Sequence, residues 1–128
     1  MPKSIFISYV YEDKEHRDKL KTWASKKLLG DNCHVTYERK DCRQKGKAAI
    51  EAELEAMIQG AGAVLVLLGQ NTHNHPWVLH EIDLAKKKNK KMLLVRINGT
   101  TGGKPKPLSE HSEILFDVNK IKIALDKK

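Results

Sequence analysis

Ala63-Val64-Leu65-Val66-Leu67-Leu68, framed by Gly62 and Gly69, is the most continuous apolar run in this chain of 128 residues. Its shortness, its β-branched content and the flanking glycines match a strand buried on both faces rather than a helix or a membrane span. A strand of that kind needs parallel neighbours, and the sequence on either side supplies them. Upstream, Ile5-Phe6-Ile7 reads as a second buried strand and Val35-Thr36-Tyr37 as a short edge strand. Downstream, Met92 to Ile97 reads as a fourth strand and Ile114 to Phe116 as a short fifth.

Helical patterns fill the gaps. Leu20, Trp23, Ala24 and Leu28 recur at helical spacing after Asp13, a candidate cap, and before Gly30, a candidate stop. Ile50, Leu54, Met57 and Ile58 mark one face of a second helix closed by Gly60. Pro76 suits the first turn of a third, with Val78, Ile82 and Ala85 on one face and Trp77, Glu81 and Leu84 on the next. Glu38 to Lys47 reads as an exposed basic loop, and Asn98 to Ser109, with three glycines and two prolines, as irregular. Asp117 is a candidate cap for a last helix along Val118, Ile121 and Leu125, although the alternation of Ile121, Ile123 and Leu125 also permits a strand.

Alternating strands and helices imply right-handed crossovers and a parallel sheet covered on both faces. The expectation is one α/β domain over residues 1–128, a flavodoxin-like three-layer sandwich with a five-stranded parallel sheet in the order 2-1-3-4-5. The composition agrees, with 40% hydrophobic and 31% charged residues. Cys33 and Cys42 fit no CxxC or zinc-finger spacing and read as reduced thiols. The N-terminus turns charged before any apolar run reaches signal-peptide length, so a cytoplasmic protein is expected. The net charge of +8 raises the prospect of a polyanionic partner, but only 5% of residues are aromatic. They are not interleaved with the basic residues as a single-strand binding surface would want, so nucleic acid is not the favoured partner.

Ligands of such sheets bind beyond the carboxyl ends of the strands at the switch point, which selects the residues after Ile7 and after Leu68. Ser8-Tyr9 and Gly69-Gln70 carry no acidic set for the magnesium ion of a receiver domain. No GxxxxGK[ST] or GxGxxG occurs, and Ser8 to Glu12 lacks the clustered small residues of a flavin phosphate loop. His73, His75 and His80 lack strict ligand spacing, so no metal is expected. The lysines at 86, 87, 88, 90 and 91 follow the third helix to its C-terminus, where cations complement the dipole.

What the strand ends offer is Ser8, Tyr9 and Tyr11 facing Trp77 and Glu81, which stack one turn apart on a helix. A carboxylate beside aromatics in a partly dry pocket suits cleavage of a glycosidic bond through an oxocarbenium-like state. A leaving group that is already cationic removes the need for a second carboxylate as acid. At these residues the chain resembles a known family. Ile5-Phe6-Ile7-Ser8-Tyr9 with the Asp13-led helix looks like the first strand of TIR domains, and Trp77-Val78-Leu79-His80-Glu81 resembles their third-helix motif. The run from Val64 to Gly69, with Asn71-Thr72 and Trp77 to Ile82, looks closest to the prokaryotic subgroup of Thoeris anti-phage defence.

The resemblance implies NAD as substrate, with no separate cofactor, cleaved to ADP-ribose or to a cyclised isomer. It makes Glu81 the catalytic glutamate and Ser8 and Tyr9 the strand end that helps hold the nicotinamide riboside; Tyr11, Trp77 and Asp41 are expected to join them in binding substrate. Asp41 to Gly46 falls where the family has its loop between strand 2 and helix 2, which often mediates assembly. Self-association or a partner effector protein is therefore expected, and a non-catalytic adaptor is the alternative. Two departures stand out: Val78 where family members often have Cys, and a short end after Ser109.

Overall fold

The computed structural model describes residues 3–30, 33–37, 47–72 and 75–126, with the side chains of residues 3, 11, 47–51 and 77 left aside. Five strands, β1 (Lys3–Ser8), β2 (Cys33–Tyr37), β3 (Ala63–Leu68), β4 (Lys91–Arg96) and β5 (Glu113–Leu115), form one sheet. All pairings are parallel and the order is β2-β1-β3-β4-β5. Between them run α1 (Lys14–Ser25), α2 (Lys47–Gly60) and α3 (Pro76–Lys87), and α4 (Val118–Asp126) follows β5. Every side chain of β3 is buried, as its continuous apolar run requires of a strand flanked on both edges. This is the flavodoxin-like α/β sandwich that the sequence predicts.

The pleat sorts the core into two layers. Ile5, Ile7, Leu65, Leu67, Leu93 and Val95 pack with Leu20 and Ala24 of α1 and Ile121 of α4. Their strand neighbours Phe6 and Val64 pack with Leu54 and Ile58 of α2 and Ala85 of α3. Val66, Leu68 and Leu94 meet Val78 and Ile82 of α3. Burying a large aliphatic side chain in this way stabilises by roughly 1.5–3 kcal/mol. The consequence for function is positional: α3 covers the same sheet face as Phe6, and therefore as Ser8.

Several details differ from the sequence reading. Gly30 does not stop α1. The helix ends at Ser25 and reverses at Lys27, whose φ is 63°. The Leu28 amide donates to Trp23 O at 2.8 Å and the Lys27 amide to Ala24 O at 3.0 Å, the paired bonds of a Schellman motif. That reversal breaks the helical period before Leu28, leaving it exposed while Leu29 is buried. Asp13 precedes α1 but makes no side-chain cap bond. The stretch 98–109 contains one 3-10 turn, Lys106–Leu108, inside otherwise irregular chain. After β5 the open choice resolves as a helix, since Ile121 is buried and Ile123 is 59% exposed. Asp117 caps it, its Oδ1 accepting from the amides of Asn119 and Lys120 at 2.9 and 3.1 Å.

The lysine run is tied down from outside its own helix. Lys90 Nζ donates to Gln59 O at 2.9 Å and Lys88 Nζ to Gln59 Oε1 at 3.0 Å. Both therefore serve the C-terminus of α2, where a cation is favourable. Lys86 Nζ donates to Pro107 O. Among the described residues no helix is long and apolar enough to cross a membrane.

Candidate active site

Ser8 is the last residue of β1 and shares the pleat face of Phe6, so its hydroxyl points toward the α2–α3 layer. On α3, Val78, Ile82 and Ala85 face the sheet, and Glu81 lies at the edge of that arc, only 3% exposed. The two meet where the fold brings the end of β1 against the middle of α3: Ser8 Oγ donates to Glu81 Oε1 at 3.0 Å. Ser8 itself is fully buried. A carboxylate in a water-poor setting interacts with nearby charge far more strongly than one in solvent.

The loop that launches α3 is held from several sides. Thr72 Oγ1 accepts from the Gly69 amide at 2.8 Å and donates to Leu67 O at 3.2 Å. Asn71 Nδ2 donates to Glu12 Oε1 at 3.0 Å, and Gln70 pairs with Thr101 through its own amide and the Thr101 backbone N–H. Gly102 is required by close approach to backbone, and Gly69 leaves room for the Asp13 side chain. A Cβ on Gly69 would meet the Asp13 carboxylate, its Oδ2 at 2.4 Å. A Cβ on Gly102 would lie 2.3 Å from Gln70 O and 2.4 Å from Gly69 O.

Asp13 is the residue whose part the sequence reading missed. Its carboxyl is buried against Gly69 instead of capping α1, and Oδ2 has no hydrogen-bond partner among the described residues. Burial, with the Glu12 charge beside it, raises its pKa from 3.8 to about 6. The sequence signal, an acid at the mouth of a helix, was the ordinary signature of a cap. Only the fold shows a glycine opposite it.

The candidate residues separate into groups. Ser8 and Glu81 are in direct contact. Tyr9, one residue past β1, packs on the opposite layer with Ile7, where its phenol accepts from Arg17 Nη1 at 2.6 Å. Burial raises the Tyr9 pKa, Arg17 lowers it through the hydrogen bond and its charge, and Tyr37 and Glu81 add smaller upward pushes. Tyr11 lies in the 3-10 turn Tyr11–Asp13 and Trp77 in the first turn of α3, but their side chains lie outside the described residues. Asp41 lies wholly outside them, as does His73 of the loose histidine set. Arg17 and Tyr37 were also missed. Arg17 has a legible signal, because it interrupts the apolar stripe of α1 three positions before Leu20.

A parallel sheet of this order is a doubly wound α/β fold, and the carboxylate of α3 against the end of β1 lies where ligands of such sheets bind. The sequence model described as "Thoeris protein ThsB, TIR-like domain" matches residues 6–102, and the chain belongs to that family. No curated protein sequence matches the chain. Among solved structures it is similar to the TIR domains of the activated Roq1 resistosome that directly recognises the pathogen effector XopQ. That match has a TM-score of 0.57 and 19% identity over 75% of this chain, which spans 58% of that one. It is also similar to a CMP N-glycosidase, BcmB, of Clostridium botulinum, with a TM-score of 0.60 and 15% identity over 98% of this chain and 100% of that one. A prokaryotic SEFIR domain matches with a TM-score of 0.58 and 15% identity, covering 98% of this chain and 94% of that one.

Proposed function

We propose that this chain cleaves NAD at the bond between nicotinamide and ribose, with Glu81 as the carboxylate that stabilises the transition state. The observation that carries the reading is the Ser8–Glu81 hydrogen bond at the carboxyl edge of the sheet, between β1 and α3. Family membership supports the substrate class, and the name of the Clostridium botulinum protein indicates that this fold accommodates N-glycosidic cleavage. In the proposed step the C–N bond breaks and its electron pair leaves with nicotinamide. The pyridinium nitrogen thereby becomes neutral without taking up a proton. The ribose becomes oxocarbenium-like, and a negative charge held close in a water-poor site lowers the energy of that state.

Water then adds to C1′ and gives up a proton, yielding ADP-ribose. Attack instead by a nucleophilic atom of the ADP half, an adenine nitrogen or a ribose hydroxyl, with loss of a proton, would give a cyclic isomer. Trp77, one turn before Glu81, and Tyr11 and Asp41 are proposed to contact the substrate, while Tyr9, whose phenol is held by Arg17, is proposed to shape the strand end beside it. Anti-phage defence or signalling is the biological setting that the Thoeris family suggests, with a second copy of the chain or an effector protein as partner.

The near-complete burial of Ser8 and Glu81 favours one second reading. In it Glu81 is a structural carboxylate and the chain is an adaptor working through self-association. Incubating the purified chain with NAD over a range of protein concentrations, and following nicotinamide by chromatography, separates the two. Release that Glu81→Gln abolishes supports the enzyme. Release untouched by that substitution removes Glu81 from the chemistry, and no release at any concentration favours the adaptor.

A further inference from the structure

Arg17 occupies a position where an amphipathic helix would hold an apolar side chain. Its side chain is 15% exposed, and the guanidinium is engaged on several sides. Nη1 donates to the Tyr9 phenol at 2.6 Å, while Nε and Nη2 donate to Asp18 Oδ1 at 3.0 and 2.7 Å. The guanidinium carbon lies 4.3 Å from the centre of the Tyr37 ring and 5.1 Å from that of Tyr9. The two tyrosine rings meet edge to face, their centroids 6.0 Å apart and their planes at 85°. A planar cation with directed donors fixes both the position and the rotation of a phenol, which a point charge on a flexible stem does not. Tyr9 directly follows Ser8, so what immobilises Tyr9 also immobilises the strand end whose hydroxyl meets Glu81.

We propose that Arg17 is a positioning residue that acts through Tyr9, holding the end of β1 in the arrangement where Ser8 meets Glu81. The inference rests on the reading of Glu81 as the catalytic carboxylate. Among the described residues, titratable and charged groups acting on the Tyr9 phenol include Arg17 from α1, Tyr37 from β2 and Glu81 from α3. Of these Arg17 alone pulls its pKa down, against the upward push of burial. That gives the arrangement a signature independent of turnover.

The test is a double-mutant cycle on nicotinamide release with Arg17→Met, Tyr9→Phe and the pair, beside a tyrosinate titration. If Arg17 acts through Tyr9, each single change lowers kcat by about tenfold with KM moved less than about threefold, and the pair is no worse than either. Arg17→Lys, which restores charge without the fork, recovers part of the loss and takes the place of Arg17→Met in the cycle should the latter not fold. In the titration, the transition missing from Tyr9→Phe moves to higher pH when Arg17 is replaced.

Losses that multiply in the pair, a fully active Arg17→Met, or an unmoved Tyr9 transition would each overturn the proposal. A wild type that releases nicotinamide while the losses multiply sinks the positioning role alone. A wild type that releases none sinks the reading of Glu81 and the positioning role with it.

Discussion

Ser8 and Glu81 show how much of the site rests on single atoms. Removing the hydroxyl leaves a buried carboxylate without one of its donors, which costs about 1.5–3 kcal/mol for a bond to a charged group. Ser8→Ala is therefore expected to lower the unfolding free energy by about that amount in urea denaturation. Nicotinamide release should fall by roughly tenfold or more, since each 1.36 kcal/mol of lost transition-state stabilisation is a factor of ten. Unchanged stability would mean that the Ser8–Glu81 bond does not persist in solution. Both residues were legible in the sequence, Ser8 as the end of a buried strand and Glu81 through its spacing from Trp77. Which way Tyr9 points was not, because a shift of one residue along a pleat moves a side chain to the other face.

Elements join at contacts that no periodicity announces. Asp13 and Gly69 are far apart in sequence, and the fold sets the carboxyl of one against the backbone of the other. A folded-state pKa raised to about 6 means that this group's contribution to stability is fully present below the ordinary carboxylate range. It is lost as the pH rises through about 6, where the folded state can no longer hold its extra proton. Asp13→Asn, neutral at every pH, is expected to be more stable than wild type at pH ~7.5 by about 1–2 kcal/mol. Denaturant midpoints measured from pH ~4 upward should show the gap opening as the pH rises; a gap independent of pH would contradict the account.

The end of α1 was the other illegible feature. The sequence predicts the stop of α1 at Gly30, whereas a lysine takes the left-handed position, at a cost that glycine does not bear. Lys27→Gly should raise the thermal midpoint, through a gain of about 0.5–1 kcal/mol. A lowered midpoint would show that the Lys27 side chain contributes more than its backbone strain costs.

At the scale of the molecule, the sheet order and the division of helices between two faces followed from the run Ala63–Leu68 and its alternation with helical segments. The site was legible to the extent that the fold dictates it, since the switch point is a property of strand order. What lay beyond reach was the part played by Asp13 and Tyr37, which comes from chain crossings rather than from local pattern; Arg17 showed only as a break in the apolar stripe of α1. The net charge of +8 remains a feature of the whole surface. Lys86, Lys88 and Lys90 each donate to a neighbouring carbonyl or amide oxygen, which gives the run a structural role that calls for no polyanion. Binding to duplex DNA is accordingly expected to be weak at physiological salt. A steeply salt-dependent affinity in the low-micromolar range would return nucleic acid to the centre of the function.

The central claim is that Glu81, held by Ser8 at the end of β1, is the carboxylate that cleaves the nicotinamide–ribose bond. The most direct measurement is the rate of nicotinamide release from NAD by wild type and by Glu81→Gln, compared at equal folded fraction and protein concentration. Release by wild type is expected, with a loss of about a hundredfold to a thousandfold in Glu81→Gln, the size of effect that follows removal of one electrostatic stabiliser from an active site. Equal rates in the two proteins would contradict the claim.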